Sequence, residues 1–175
     1  MNLYLRLAVL LFRLIALPQK QLLEESRVSF RVLPNDCDIN FHMNNGRYLS
    51  FMDLGRVHLM RQSRLLGHII SNRWMPVLTA AEINFIRSLA PFQKFEIVTR
   101  IATWDDKYFY MEQRFESNGA LCAHSFVKGL FLGRGGTRIA NDDVIAAVGW
   151  HGDRPAMPEE LKIWSELGNV KKQNA

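Results

Sequence analysis

The sequence predicts an α+β fold in which one long helix lies against a single curved antiparallel sheet. One long helical pattern runs from residue 44 to about residue 66. Four long strand-like stretches follow it, separated by short turns rather than by helices. The 175 residues, 48% of them hydrophobic, are enough for one domain with its own core. A helix and a sheet that are each apolar on one side bury those sides against one another.

The chain begins with LYLRLAVLLFRLIAL, residues 3–17, an apolar run broken by Arg6 and Arg13. It is shorter than the roughly 20 apolar residues a spanning helix needs. ALPQKQ, which ends the run, is a poor signal-peptidase site. Leu3, Leu7, Leu10, Leu14 and Leu17 share one helical face, and Arg6 and Arg13 share another. Peripheral contact of residues 3–17 with an anionic membrane surface fits this pattern. Docking of the helix on the domain or on a partner subunit fits it equally. Pro18 ends the segment in either case. Residues 1–22 are therefore read as an amino-terminal apolar and amphipathic helix, and residues 23–175 as the domain proper.

SRVSFRVLP alternates apolar and polar residues and reads as a strand, broken by Pro34 and Asn35. Asn44 is a strong cap for the long helix. Tyr48, Met52, Gly55 and Leu59 share its apolar face, with Phe51 beside them. Glycine in mid-helix costs about 1 kcal/mol relative to alanine, so Gly55 implies a helix pressed close against a sheet. TAAEINFIRSL alternates until Pro91 stops it, and KFEIVTRIATW alternates up to a DDK turn. YFYMEQRFES follows, then Asn118-Gly119, a strong tight-hairpin signal. ALCAHSFVKGLFLG is nearly all apolar and reads as a strand covered on both faces, ended by RGG. MPEELKIWSELG has Pro158 in a first turn, acidic residues next and Gly168 at the end, the pattern of a short closing helix.

A net charge of +5 and a pI near 9.5 favour anionic partners such as nucleotides, coenzymes or a membrane surface. The arginines are scattered, with no basic stripe interleaved with aromatics, so nucleic acid is not the expected partner. Cys37 and Cys122 form no CxxC, which argues against a disulfide scaffold or a cysteine zinc site. Reduced thiols in a cytoplasmic compartment are the simplest reading.

NDCDINFHMNNGRY, residues 35–48, concentrates the chemistry. Asp36, Asp38 and Asn40 have the spacing of the first ligands of a calcium loop. Phe41 and Arg47 stand where that loop needs glycine and a bidentate glutamate. A phosphatase nucleophile should follow directly on a buried strand of a doubly wound sheet; here Pro34 and Asn35 intervene and hairpins follow. No GxSxG occurs, which removes the common serine hydrolase pattern. A zinc site from Asp36, Asp38 and His42, with His58 or His68, lacks any spacing that unites them. A further reading places a carboxylate beside a helix start. Asp38 lies six residues before Asn44, and the first helical amides, near Asn45 and Gly46, have no partners within the helix. They carry the positive end of the helix dipole and can hold an oxyanion. A facing carboxylate can attack a carbonyl or activate water, and Gly46 lets a substrate approach the backbone. Asp36, Asp38 and Asn40 serving only the loop's own amides is equally consistent with the residues.

DCDINFHMNNGRYLSFMDLGR resembles the signature of hotdog-fold acyl-CoA thioesterases of the 4-hydroxybenzoyl-CoA type. VLPNDCDINFHMNNGRYL, WDDKYFYMEQRF and MPEELKIWSE, in that order, are similar to the branch of thioesterase superfamily member six. The resemblance covers roughly residues 26–167. It implies a hotdog fold, a long central helix wrapped by a curved antiparallel sheet. It implies hydrolysis of an acyl-CoA or acyl carrier protein thioester. Coenzyme A is then part of the substrate and no separate cofactor is needed. Asp38 matches the nucleophile or general base, and Asn45 lies near the backbone oxyanion donor. His42, Asn44 and Gly46 fall where the family shapes the substrate pocket and orients its loop. Arg87, Lys128 and Arg134 become candidates for the coenzyme's phosphates, although ordinary solvated charge also accounts for each. Glu82 becomes a candidate support. The family pairs sheets edge to edge, so a homodimer or homotetramer is expected. The branch tends to carry an apolar amino terminus, which favours membrane association of a cytoplasmic protein. One departure stands out: where relatives often have Pro or Gly after the second aspartate, this chain has Ile39-Asn40-Phe41. That segment motivates an alternative, a non-catalytic acyl-binding or membrane-associated hotdog protein.

Overall fold

The computed structural model describes residues 3–14 and 17–173. Among them, five strands form one antiparallel sheet in the order β1-β3-β4-β5-β2. In chain order the elements are α1 (Leu3–Leu14), β1 (Ser26–Arg31), α2 (Asn45–Gln62), α3 (Leu65–Asn72), β2 (Met75–Phe85), β3 (Lys94–Trp104), β4 (Phe109–Ser117), β5 (Ala120–Leu132), α4 (Asn141–Ala147) and α5 (Glu159–Gln173). This is the expected α+β hotdog: α2 crosses one face of the sheet, and the strands curve around it.

Local chemistry sets the hairpins. At the β3–β4 turn the Asp105 carboxylate accepts the Lys107 and Tyr108 amides at 2.7 and 2.6 Å. At the β4–β5 turn Asn118 and Gly119 have φ of 51° and 75°, as a two-residue hairpin loop requires. Alternation along β3, β4 and β5 then sends Ile97, Thr99, Gln113, Phe115 and Val127 toward α2. Tyr48, Phe51, Met52 and Leu54 of α2 meet them in the main core. Gly55 is the point of closest approach. A Cβ there would lie 2.8 Å from Thr99 Oγ1, 2.9 Å from Gln113 Nε2 and 3.0 Å from Ile97 Cγ2. β5 is covered on both faces as expected. Val127 faces α2, while Phe126 packs outward with Leu161 and Trp164 of α5.

Several expectations are corrected. The helical pattern read to about residue 66 is two helices. α2 stops at Gln62, and Arg64, with φ of 64°, turns the chain into α3. α4 was not anticipated. α5 runs through Gly168 to Gln173 rather than ending there. Gly168 lies beside Lys128: a Cβ there would meet Nζ at 3.7 Å, an ordinary contact.

The amino-terminal helix docks on the domain. Leu10 is buried and Leu7 packs on the main core. Arg6 turns inward, 6% exposed, rather than standing on a solvent or lipid face. Leu17 also touches that core. The side chains of Leu3, Arg13 and Leu14, and residues 15–16, lie outside the described residues. No helix among the described residues is long and apolar enough to cross a membrane.

Candidate active site

The loop between β1 and α2 brings its two carboxylates to different environments. Asp36 is fully buried and its Oδ1 accepts a fork from Arg47 Nε and Nη2 at 3.1 and 2.8 Å. Its Oδ2 accepts the Leu33 amide at 2.9 Å and pairs with Arg6. Its carbonyl accepts the Asn44 amide at 2.8 Å. Asp36 is thus a frame for the loop. Asp38, two residues on, is only partly buried. Its amide donates to the His42 carbonyl at 3.0 Å, and its Oδ1 accepts the Asn40 amide at 2.9 Å. Its Oδ2 makes no hydrogen bond among the described residues.

The start of α2 is built by Asn44. Its side-chain oxygen accepts the Gly46 amide at 2.9 Å, and its carbonyl accepts the Arg47 amide at 2.8 Å. The Asn45 amide is left without a partner among the described residues. The cap therefore selects one of the two amides singled out in the sequence: Gly46 N–H is consumed locally, and Asn45 N–H is available.

Asp38, Asn40, His42 and Asn45 line one cavity of about 270 Å³. Its other walls are Met43, Tyr48 and the segment Phe85, Ile86, Arg87 and Ser88 that leaves β2. Asn44 and Gly46 are exposed and lie outside the lining. Tyr48 is wedged against Phe85 and Phe115, with ring centroids at 5.0 and 4.8 Å. Burial pushes its phenol up to about 12, so it stays neutral at physiological pH. Phe85, Ile86 and Ser88 were not anticipated. They come from some forty residues further along the chain, and only the pairing of β2 with β5 brings them here.

The other singled-out residues separate. Arg87 is exposed on the cavity rim. Arg134 follows the far end of β5, beside Met75 rather than Phe85. Lys128 is buried, not solvated. Its ammonium lies 4.9 to 5.8 Å from the ring centres of Tyr108, Tyr110 and Trp164, a cation–π enclosure. Glu82 accepts a hydrogen bond from Asn84 at 3.0 Å and lines no part of the cavity. His58 is buried and shares a 2.6 Å hydrogen bond with Ser26. Among the described residues no group of three or more His, Cys, Asp or Glu could hold a metal ion.

A long helix wrapped by an antiparallel sheet defines a hotdog-fold protein. Residues 32–165 match the family model described as the thioesterase-like superfamily, and the chain belongs to that family. Protein THEM6 of Xenopus laevis is 36% identical over 157 residues, which cover 88% of this chain and 73% of the relative. A probable thioesterase of Saccharomyces cerevisiae is 30% identical over 140 residues, 76% of this chain and 60% of its own. Among solved structures, the YbaW probable thioesterase of Escherichia coli superposes with a TM-score of 0.65 at 17% identity, over 70% of this chain and 95% of that one. A gentisyl-coenzyme A thioesterase superposes with a TM-score of 0.60 at 20% identity, over 70% of this chain and 97% of that one.

Proposed function

We propose that the protein hydrolyses an acyl thioester of coenzyme A, or of acyl carrier protein, to the free acid and thiol. The observation that carries this reading is the pairing, on one cavity, of an uncommitted carboxylate oxygen on Asp38 with the unpaired Asn45 amide. In the reaction so proposed, the thioester carbonyl oxygen points at Asn45 N–H, and the helix dipole favours the charge that develops on it. Asp38 either attacks the carbonyl carbon, giving an acyl-Asp38 anhydride that water then hydrolyses to the free acid, or takes a proton from the attacking water. The thiolate leaves toward the rim, where Arg87 suits the phosphates of a coenzyme. His42 and Tyr48 shape the wall nearest the reacting carbon. The name of the gentisyl-coenzyme A thioesterase neighbour supports a coenzyme A substrate by analogy of fold.

A second copy of the chain belongs to this proposal. β2 is an edge strand, and Met75, Leu78 and Phe85 on it, with Ile86 just beyond, are 44 to 55% exposed. An uncovered apolar edge of this kind is a template for pairing, and Phe85 and Ile86 are themselves cavity walls.

The test is release of free thiol from a panel of acyl-CoAs. Wild type turns over at least one of them, and Asp38→Asn loses on the order of a hundredfold or more in kcat while its Tm and oligomeric state stay unchanged. Wild-type turnover by the Asn variant sinks the assignment of Asp38. A second reading, an acyl-binding protein without hydrolysis, draws on Ile39 and Phe41, which are 92% and 77% exposed beside the cavity. Saturable acyl-CoA binding with no thiol release from any substrate selects it.

A further inference from the structure

The carboxylate of Asp36 is clamped from two directions. Arg47 reaches its Oδ1 from the first turn of α2. Arg6 reaches its Oδ2 from α1, with its guanidinium 4.5 Å from the centre of the Phe51 ring and Nη1 3.4 Å from the Arg31 carbonyl. The Asp36 carbonyl in turn holds the Asn44 amide, so this one residue joins the two ends of the loop that presents Asp38. A bridge between Cys37 and Met43 closes the loop inside that junction. α1 lies outside residues 32–165, which match the family model. Half of the clamp on the loop therefore comes from outside the segment that carries the family signature.

We infer that Arg6 of α1 acts through Asp36 as a positioning residue for Asp38 and the Asn45 amide. This rests on the thioester-hydrolase reading given above. Without Arg6, a buried carboxylate loses one of its two cations and must turn or draw in water. Its backbone carbonyl moves with it, the Asn44 amide loses its acceptor, and the cap that leaves Asn45 N–H open loses its fixed origin. A displacement of about 1 Å at a reacting group costs on the order of a hundredfold in rate.

The clamp and the docking of the helix are separable. Leu10 holds α1 to the core by apolar contact alone and is 3% exposed. Leu10→Ala therefore loosens the docking and leaves the charge pair in place, whereas Arg6→Ala removes the pair.

The experiment compares the full chain with Arg6→Ala, Arg6→Lys and Leu10→Ala, reading kcat, KM and backbone hydrogen exchange across residues 36–47. Arg6→Ala is expected to lower kcat roughly tenfold to a hundredfold with KM changed little. It also speeds exchange at the Asp38 and Asn44 amides. Arg6→Lys restores part of both. Leu10→Ala lowers Tm while kcat and loop exchange stay near wild type. Wild-type kcat and exchange in Arg6→Ala overturns the inference. Equal losses in Leu10→Ala and Arg6→Ala also overturn it, because docking rather than the charge pair would then set the loop. If the wild-type chain hydrolyses no thioester, the functional reading fails by itself, and the exchange comparison still decides whether Arg6 frames the loop.

Discussion

Gly55 offers a sharp test of the packing that supports the site. Gly55→Ala adds one methyl group at a position where Thr99 Oγ1, Gln113 Nε2 and Ile97 Cγ2 would lie 2.8 to 3.0 Å away. In an open helix the same change stabilises by about 1 kcal/mol. Here the neighbours cannot yield cheaply, because Thr99 and Gln113 are fully buried. Gln113 donates to the Met52 carbonyl and to Thr99 Oγ1, each at 3.0 Å, and accepts from Arg56 at 2.9 Å. Overpacking costs about 1–3 kcal/mol, and losing one or two of these bonds costs about 1 kcal/mol each. The propensity gain offsets part of this, leaving a net loss of about 1–4 kcal/mol. For a chain of this length each kcal/mol moves Tm by about 2–4 °C, so a fall of roughly 2–16 °C is expected by circular dichroism melting. Gly67→Ala is the matched control, since nothing lies within 4 Å of a Cβ on that exposed face of α3. It should raise Tm by about 2–4 °C. A Gly55→Ala protein as stable as wild type would refute the claim that α2 contacts the sheet at this point.

Two further outcomes follow from the same geometry. Burial, and then the nearby Lys20, pushes the His58 imidazole down from 6.5 to about 4. Between those values the unfolded chain binds a proton that the folded chain refuses. Stability therefore falls as pH drops from about 6.5 to about 4, by about 3 kcal/mol in all. His58→Gln should flatten urea-unfolding midpoints across that window, and an unchanged slope rejects the assignment. Phe41 has φ of 55° and an exposed ring. A left-handed conformation costs a residue with a Cβ about 1–2 kcal/mol, of which glycine's extra entropy returns about 0.5–1. Phe41→Gly should thus raise stability by up to about 1.5 kcal/mol in chemical denaturation, and a clear loss would show that the ring is held.

Phe41 also explains one feature that was legible in the sequence but not interpretable there. Within the Ile39-Asn40-Phe41 segment singled out in the sequence, the left-handed backbone at residue 41 is where a glycine would relieve strain. The strands, the hairpin at Asn118-Gly119 and the Asn44 cap could be read because each is set by neighbours in sequence, and the close approach at Gly55 because a mid-helix glycine signals tight packing even when its partners, Ile97, Thr99 and Gln113, are distant. The division between α2 and α3 could not. Arg64 adopts its left-handed turn with no glycine or proline to announce it, and burial of Leu65 and Ile69 enforces the break. At the site, Asp38 and Asn45 stand close in sequence and share a cavity. The facing wall of Phe85 to Ser88 depends on strand pairing far along the chain. The two placements of the amino-terminal helix could not be separated because the partner of Arg6 lies thirty residues away. Lys128 looked like a solvent-facing cation for a similar reason, since its enclosing rings come from β4, the turn before it and α5.

The strand order also has a consequence for how the chain is made. β1 and β2, early in sequence, occupy opposite edges of the sheet and never touch one another. Each must wait for a partner from the β3-β4-β5 meander, and β2 can pair only when β5 emerges, about fifty residues later. At synthesis rates of about 5–20 residues per second that is a wait of several seconds. During it, α2 and the apolar strand that will wall the cavity have no sheet to bury against. The carboxyl-terminal strands, with their contiguous hairpins, can pair as they emerge, whereas β1 and β2 have no partner until they do.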